Sequence, residues 1–236
     1  MKLSKYAVKL KRLLSTAEPA TNYSLSSYSQ EGEDMVIRRF VNEDKPGFYV
    51  DIGAHHPERF SNTLFYYNRG WNGINVDADP DLMELFAASR PRDINITSAV
   101  GKKSASLTFH VFNERALNTL DPAVAKERAA IDGYTIVKKR KIPVKPLEEI
   151  LNKQLPKGQT IDFITIDVEG KDIEVLQSNN WNKYRPRFLV VECLKTPYLD
   201  EIRDDRVVKY LAGKNYRPVA KTINSVFFAD CTVYGK

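Results

Sequence analysis

The sequence holds only two cysteines, Cys193 and Cys231, with no CxxC pair and no histidine cluster beside them. That excludes a disulfide framework and argues against a zinc site, leaving two buried, reduced thiols as the expectation. Long hydrophobic runs are missing as well: no stretch approaches the roughly 18 apolar residues that a membrane-spanning helix needs. The first residues also lack the apolar core and small-residue cleavage site of a secretory signal, so a cytoplasmic location is expected. Internal repeats and low-complexity tracts are absent. So is the Gly-x-Gly-x-x-Gly turn that cradles a dinucleotide pyrophosphate. Neither sign of charge dominates: 36 Lys and Arg stand against 30 Asp and Glu, a formal charge of +6. This excess permits attraction to phosphates, nucleotide-sugars or an anionic surface, and it does not call for nucleic acid.

What remains is an ordinary globular composition, 42% hydrophobic and 28% charged over 236 residues, enough for one α/β domain with a short appendage. We expect an N-terminal helical extension over 1–42 and a main domain over 43–236. Residues 1–14 place Leu3, Ala7, Leu10 and Leu14 at helical spacing among Lys2, Lys5, Lys9, Lys11 and Arg12. This reads as a short basic amphipathic helix, packed on its own domain or touching a membrane surface or partner. Residues 15–29 read as a connector, and a second helix runs from 31 to 40.

From Gly47 onward, short apolar runs alternate with helical segments, the pattern of βαβ units and a mostly parallel sheet. Strands are expected at 48–52, 73–77, 94–100, 161–167 and 187–193, and helices near 61–68, 80–90, 170–178 and 201–212. The tail offers two strands around a turn at 222–224, an antiparallel hairpin closing one sheet edge. The expected architecture is a doubly wound, Rossmann-like α/β domain with a seven-stranded sheet. Between Val100 and Ile161 the alternation breaks. Two further strands flank residues 113–135, which lack clear periodicity and form the best place for a substrate lid. The run Lys138-Lys139-Arg140-Lys141 reads either as a strand edge guarded by charge or as a patch for an anionic substrate.

Three acidic turns carry chemistry. Asp51-Ile52-Gly53-Ala54 ends the first strand; the small residues let a turn approach a ligand closely at the carboxyl edge of a parallel sheet. An acid where a dinucleotide fold has glycine suits a cationic ligand. Asp77, in Asn75-Val76-Asp77-Ala78-Asp79-Pro80, ends the next strand and can accept both hydroxyls of a ribose. Asp79 before Pro80 reads as a helix cap. The third turn follows the apolar run 161–166 and reads Asp167-Val168-Glu169-Gly170.

With that third turn the chain resembles the FkbM family of methyltransferases. The resemblance extends from about Tyr28 to Lys195 and includes Ser29-Gln30-Glu31-Gly32-Glu33-Asp34, Asp51-Ile52-Gly53-Ala54, Ser61-Asn62-Thr63, Gly70-Trp71-Asn72-Gly73, Ala99-Val100-Gly101 and the strand ending in Val191-Glu192. It implies a class I methyltransferase fold, S-adenosylmethionine as donor, and O-methylation of a sugar, glycan or related hydroxyl. The donor site is then expected at Asp51, Gly53, Ala54, Asn62, Asp77, Ala78, Ser98 and Ala99. Two departures stand out. Thr165 occupies a position where the family commonly has lysine, and His55-His56-Pro57 replaces the more usual Asn and Gly.

Methyl transfer rests chiefly on holding acceptor oxygen, methyl and sulfur in line, but a sugar hydroxyl must also lose its proton to a base or be activated by a metal. His56, Asp167, Glu169 and Glu192 are the residues expected to do this. His55 and His56 each read equally well as a histidine bonded to its own loop. The three carboxylates could instead hold Mg²⁺; the metal-free version is preferred because no histidine or Asp-Asp pair completes a coordination sphere. Expected partners are the hydroxyl substrate, no nucleic acid and no transmembrane segment, with a second copy of the chain or a glycan-assembly enzyme left open. The competing readings are an NAD-dependent sugar-modifying enzyme and a binding module that kept the cofactor pocket without catalysis. The missing glycine fingerprint and the lack of a Tyr-x-x-x-Lys pair weigh against the NAD reading.

Overall fold

The computed structural model describes residues 24–42, 45–194 and 198–234. The expected basic helix at 1–14 lies outside them. Along β1 (Phe48–Ile52) every residue is buried, because the side chains alternate between two separate cores, one on each face of the sheet. Phe48, Val50 and Ile52 join Ile164, Ile166, Leu189 and Val191 on one face, while Tyr49 joins Phe163, Phe188, Val190 and Phe227 on the other. This explains the near-continuous apolar runs in the sequence. α1 (Glu33–Ile37) and α2 (Leu64–Tyr67) cover the second face with Ile37, Phe65 and Tyr66.

The remaining elements are β2 (Asn72–Asp77), α3 (Pro80–Ser89), β3 (Ile94–Thr97), β4 (Ala99–Val100), β5 (Ala105–Phe112), α4 (Pro122–Ala129), β6 (Ile136–Lys145), α5 (Leu147–Gln154), β7 (Phe163–Ile166), α6 (Asp172–Gln177), β8 (Phe188–Glu192), α7 (Arg206–Ala212), β9 (Tyr216–Lys221), β10 (Ser225–Asp230) and α8 (Cys231–Tyr234). The large sheet has seven strands in the order β3-β2-β1-β7-β8-β10-β9. β3, β2, β1, β7 and β8 run parallel, and β10 is antiparallel to both β8 and β9. This is the class I methyltransferase architecture expected from the sequence, hairpin included. Among the described residues no helix is long and apolar enough to cross a membrane.

Four local expectations change. The strand expected at 94–100 breaks at Ser98, whose N–H donates to Asp77 O (2.9 Å) while its hydroxyl lies 3.0 Å from Pro143 O. There the chain leaves the large sheet and enters a second, three-stranded sheet in the order β4-β6-β5. The segment 113–135 is not irregular throughout: α4 forms inside it, capped by Asp121, whose carboxylate accepts from Ala123 N (2.8 Å), with Pro122 at the first turn. The Asp-Pro start signal outweighs a weak apolar period. α5, absent from the expected helices, buries Leu147, Ile150 and Leu151 at helical spacing. The basic run lies on the middle strand of the small sheet. Yet β4 pairs only with Val144 and Lys145, so 136–143 keep one open flank, and Arg140 meets Asp81 at 2.7 Å.

Candidate active site at the carboxyl edge of the large sheet

The chain runs from β1 to β2 and β3 on one side and returns to β7 and β8 on the other, so the sheet reverses its order between β1 and β7. At such a switch point the loops leave in opposite directions and open a crevice. Gly53 lines its floor. Its φ is +81°, and a Cβ there would lie 1.7 Å from the carbonyl oxygen of Asp167, so only glycine lets the loops after β1 and β7 meet. Asp167 N donates to Ile52 O (2.9 Å), and Gly53 N and Ala54 N both donate to Val76 O. The three acidic strand ends of β1, β2 and β7 are thereby fixed to one another.

Asp51 is buried under this floor and accepts a 2.8 Å bond from the Thr63 hydroxyl. Burial pushes its carboxyl up to about 6, against the pull of Thr63 and Arg90. Arg90, fully buried, holds the loop in place by donating to Thr63 Oγ1 (2.8 Å), Ser61 Oγ (2.7 Å) and the Pro57 carbonyl. Asn62 donates to Thr165 Oγ1 at 2.9 Å, so the family-unusual threonine on β7 anchors this loop. Arg90 and Thr63 went unnoticed as site residues in the sequence; a lone arginine after a helix carries no signal of its partners.

Asp77 is half-buried at the end of β2. Its Oδ1 accepts from Asp79 N (2.8 Å) and its Oδ2 from His55 N (2.9 Å), leaving each oxygen a second acceptor position. Burial raises this carboxyl too, to about 6. Asp79 caps α3 as expected, accepting from Asp81 N (3.0 Å). Ala78 and Ala99 flank the crevice half-buried, whereas the Ser98 side chain turns to the small sheet.

The two histidines sit differently on the loop after β1. His56 Nδ1 accepts from both Glu58 N and Arg59 N, each at 3.1 Å. A neutral ring in that position carries its proton on Nε2 and has no free basic nitrogen. Burial, then the charge of neighbouring His55, keeps it below the usual histidine range. His56 therefore serves its loop. His55 is exposed, with φ +54°, and burial followed by the charge of Arg59 lowers its pKa, with a smaller part from Arg115.

Asp167 and Glu192 end adjacent strands, close enough that each bears on the other's ionisation. Burial, then mutual repulsion, holds Glu192 well above the carboxylate range, while burial and Glu169 raise Asp167. Each charge in such a pair makes the second ionisation less favourable. Glu192 Oε2 is buried with no partner. Glu169 is exposed at φ +55° beside the pair, but among the described residues no three acidic, histidine or cysteine side chains gather as a metal cluster would require. The amides of this loop are satisfied by Asp172, which accepts from Val168 N and Gly170 N, both at 3.1 Å.

The segment 113–135 reaches this edge. Asn118 Nδ2 donates to Asp79 Oδ2 (3.2 Å), and the charge of Arg115 bears on His55, His56 and Asp81.

A methyltransferase FkbM domain model matches residues 51–218. No curated protein matches. Among solved structures the chain is similar to a TehB-like SAM-dependent methyltransferase from Corynebacterium glutamicum ATCC 13032 Kitasato, at 10% identity over 96% of this chain and 97% of that one, TM-score 0.42. It is similar also to a precorrin-6y C5,15-methyltransferase from Geobacter metallireducens GS-15, at 12% identity over 89% and 93%, TM-score 0.43. A third is the Burkholderia thailandensis 1,6-didemethyltoxoflavin-N1-methyltransferase, solved with 1,6-didemethyltoxoflavin and S-adenosylhomocysteine, at 9% identity over 96% and 84%, TM-score 0.38.

Proposed function

The chain belongs to the FkbM methyltransferase family, and from that premise we propose that it transfers a methyl group from S-adenosylmethionine to a hydroxyl of a sugar, glycan or related metabolite. The observation that carries this reading is the accumulation of carboxyl groups at the switch point. Asp51, Asp77, Asp167 and Glu192 all have raised pKa values, and Asp77, Asp167 and Glu192 form no ion pair among the described residues. Such an edge repels a pyrophosphate and fits a nucleoside that carries an ammonium and a sulfonium.

S-adenosylmethionine supplies an electrophilic methyl group on positively charged sulfur. Asp77 accepts the ribose hydroxyls at its two remaining acceptor positions. Asp51 sets a negative charge beneath the β1 turn, and Gly53, Ala54, Asn62, Ala78 and Ala99 shape the wall, with Ser98 contributing through its backbone. The Asp167–Glu192 pair takes the proton of the acceptor hydroxyl. A carboxyl pair that shares a proton near neutrality is a better base than an isolated carboxylate, because Brønsted behaviour favours a base whose pKa lies near the working pH. This role passes to the pair from His56, whose Nδ1 is occupied. The segment 113–135, whose Asn118 reaches Asp79, covers the acceptor. Mg²⁺ has no part in this scheme.

Calorimetry with S-adenosylhomocysteine and NAD, followed by transfer from methyl-labelled S-adenosylmethionine to a panel of sugars and glycans, tests the reading. Binding of S-adenosylhomocysteine and label on oxygen are expected. NAD binding alone would overturn it, and donor binding without transfer to any panel member would leave a cofactor-binding module.

A further inference from the structure

A second cavity, about 460 Å³ in volume, lies between α4 and the small sheet, a size suited to a small molecule. α4 faces it with Pro122, Ala125, Lys126 and Ala129, four positions that share one face of a helix. Three of these are small, where a helix packing only for stability would carry leucine. The space therefore persists because the side chains that would fill it are truncated. On the sheet side stands His110, only 7% exposed, whose Nδ1 is buried and has no hydrogen-bond partner. An unpartnered buried ring nitrogen is a standing cost in a protein interior. Lys139 is the cross-strand partner of His110, so both side chains project from the same face of the small sheet, and both line the cavity with Lys126.

From this arrangement we infer that the cavity binds the phosphate of a phosphorylated small molecule. A dianionic phosphate monoester matches two ammonium groups, one from the helix and one from the strand, and accepts a hydrogen bond from the proton on His110 Nδ1. The cavity is also connected to the large-sheet edge. His110 bridges Thr119 through reciprocal backbone bonds of 2.9 and 3.2 Å, and the adjacent Asn118 donates to Asp79. A phosphate held here anchors one end of an acceptor whose hydroxyl lies towards the donor crevice. The inference rests on the proposed methyl transfer only for that last step; the phosphate site stands or falls by itself.

Titration of the full chain with glucose 6-phosphate, glucose and sulfate, followed through the imidazole ¹⁵N resonances, tests it, since the chain has only 3 histidines and His55 and His56 can be identified by substitution. Saturable movement of the His110 signals by glucose 6-phosphate, none by glucose, and at least about tenfold weaker binding in the Lys126→Ala, Lys139→Ala variant are expected. Both lysines are exposed, so that variant keeps the fold. No saturation in the wild-type chain, equal affinity in the double variant, or sulfate acting as strongly as the phosphate ester would overturn the site. S-adenosylhomocysteine affinity, measured on the same samples, is expected to be unchanged by the double variant. If the donor fails to bind while the phosphate ester still moves His110, the methyl-transfer reading fails and the phosphate site remains.

Discussion

The two sheets of this molecule are built from opposite materials. The large sheet buries its central strands completely, and its carboxyl edge is a cluster of acids whose pKa values are raised chiefly by burial. The small sheet exposes much of β6, and its charge is basic, in Lys138, Lys139, Arg140 and Lys141. On the function proposed above, the contrast separates two tasks. A rigid, acidic edge suits one cationic donor, whereas a thin, basic layer can vary its loops and receive an anionic acceptor. The two meet at few points, among them Arg140 with Asp81 and Asn118 with Asp79.

The sharpest way to break this division is to neutralise the acidic pair. Asp167→Asn with Glu192→Gln should lower turnover by about 10²- to 10⁴-fold, the usual worth of a positioned base, while S-adenosylhomocysteine binding survives. Wild-type turnover in this variant would remove the pair from the chemistry. Turnover in the unmodified protein should rise with pH through neutrality as the shared proton is lost. Stability runs the other way. Glu192 is held above its unfolded pKa, so the folded state keeps a proton that the unfolded chain has released. That contribution is complete below about pH 4 and fades as pH rises. The melting temperature of Glu192→Gln relative to wild type should therefore climb between pH 5 and pH 8, and a pH-independent difference would contradict it.

Next in size is Arg90→Leu, which strips the loop carrying Ser61, Asn62 and Thr63 of its buried donor. A loss of about 3 kcal/mol or more is expected from the acceptors left unpaired, measured by urea unfolding. A loss under about 1 kcal/mol would mean that the loop holds itself. Asp77→Ala should weaken S-adenosylhomocysteine by about 1.5 to 3 kcal/mol with folding intact; unchanged affinity by calorimetry would reassign the ribose contact. The smallest effect belongs to the seam between the sheets. Asn118→Ala should cost under about 1 kcal/mol but raise hydrogen exchange in 113–135, and that segment should gain protection when donor and acceptor are both bound. Equal protection in free and fully liganded protein would show that it is no lid.

The strands of the large sheet were readable because two-sided burial writes itself as apolar runs, and four of these runs ended on or next to an acid, at Asp51, Asp77, Asp167 and Glu192. α3 was readable from Asp79-Pro80. The same Asp-Pro signal at 121–122 went unused because α4 has Ala, Lys and Glu where a core helix has Leu, so its period is faint. α5 was overlooked although Leu147, Ile150 and Leu151 keep helical spacing, its eight residues being crowded between Pro146 and Pro156. The break at Ser98 had no local mark, since one run of β-formers supplies both sheets.

Among the candidate site residues, His56 is the clearest example of what sequence could not weigh. Its place after the β1 turn was plain, but the two backbone donors that occupy Nδ1 arise only when the loop curls back on itself. Arg90 and His110 were invisible for the same reason: their importance lies in what faces them across 27 to 33 residues for Arg90 and across the strand pair for His110.

By itself the sequence determined the alternation of strands and helices, the acidic turns that end β1, β2 and β7, and the family, because burial patterns and turn residues are local properties of the chain. The tertiary structure alone decided which acids meet, which histidine is spent on its own loop, where Arg90 points and where a cavity persists. Those are relations between groups far apart in sequence, set by strand order and close packing, and hydrogen bonds and desolvation act only once the groups have met.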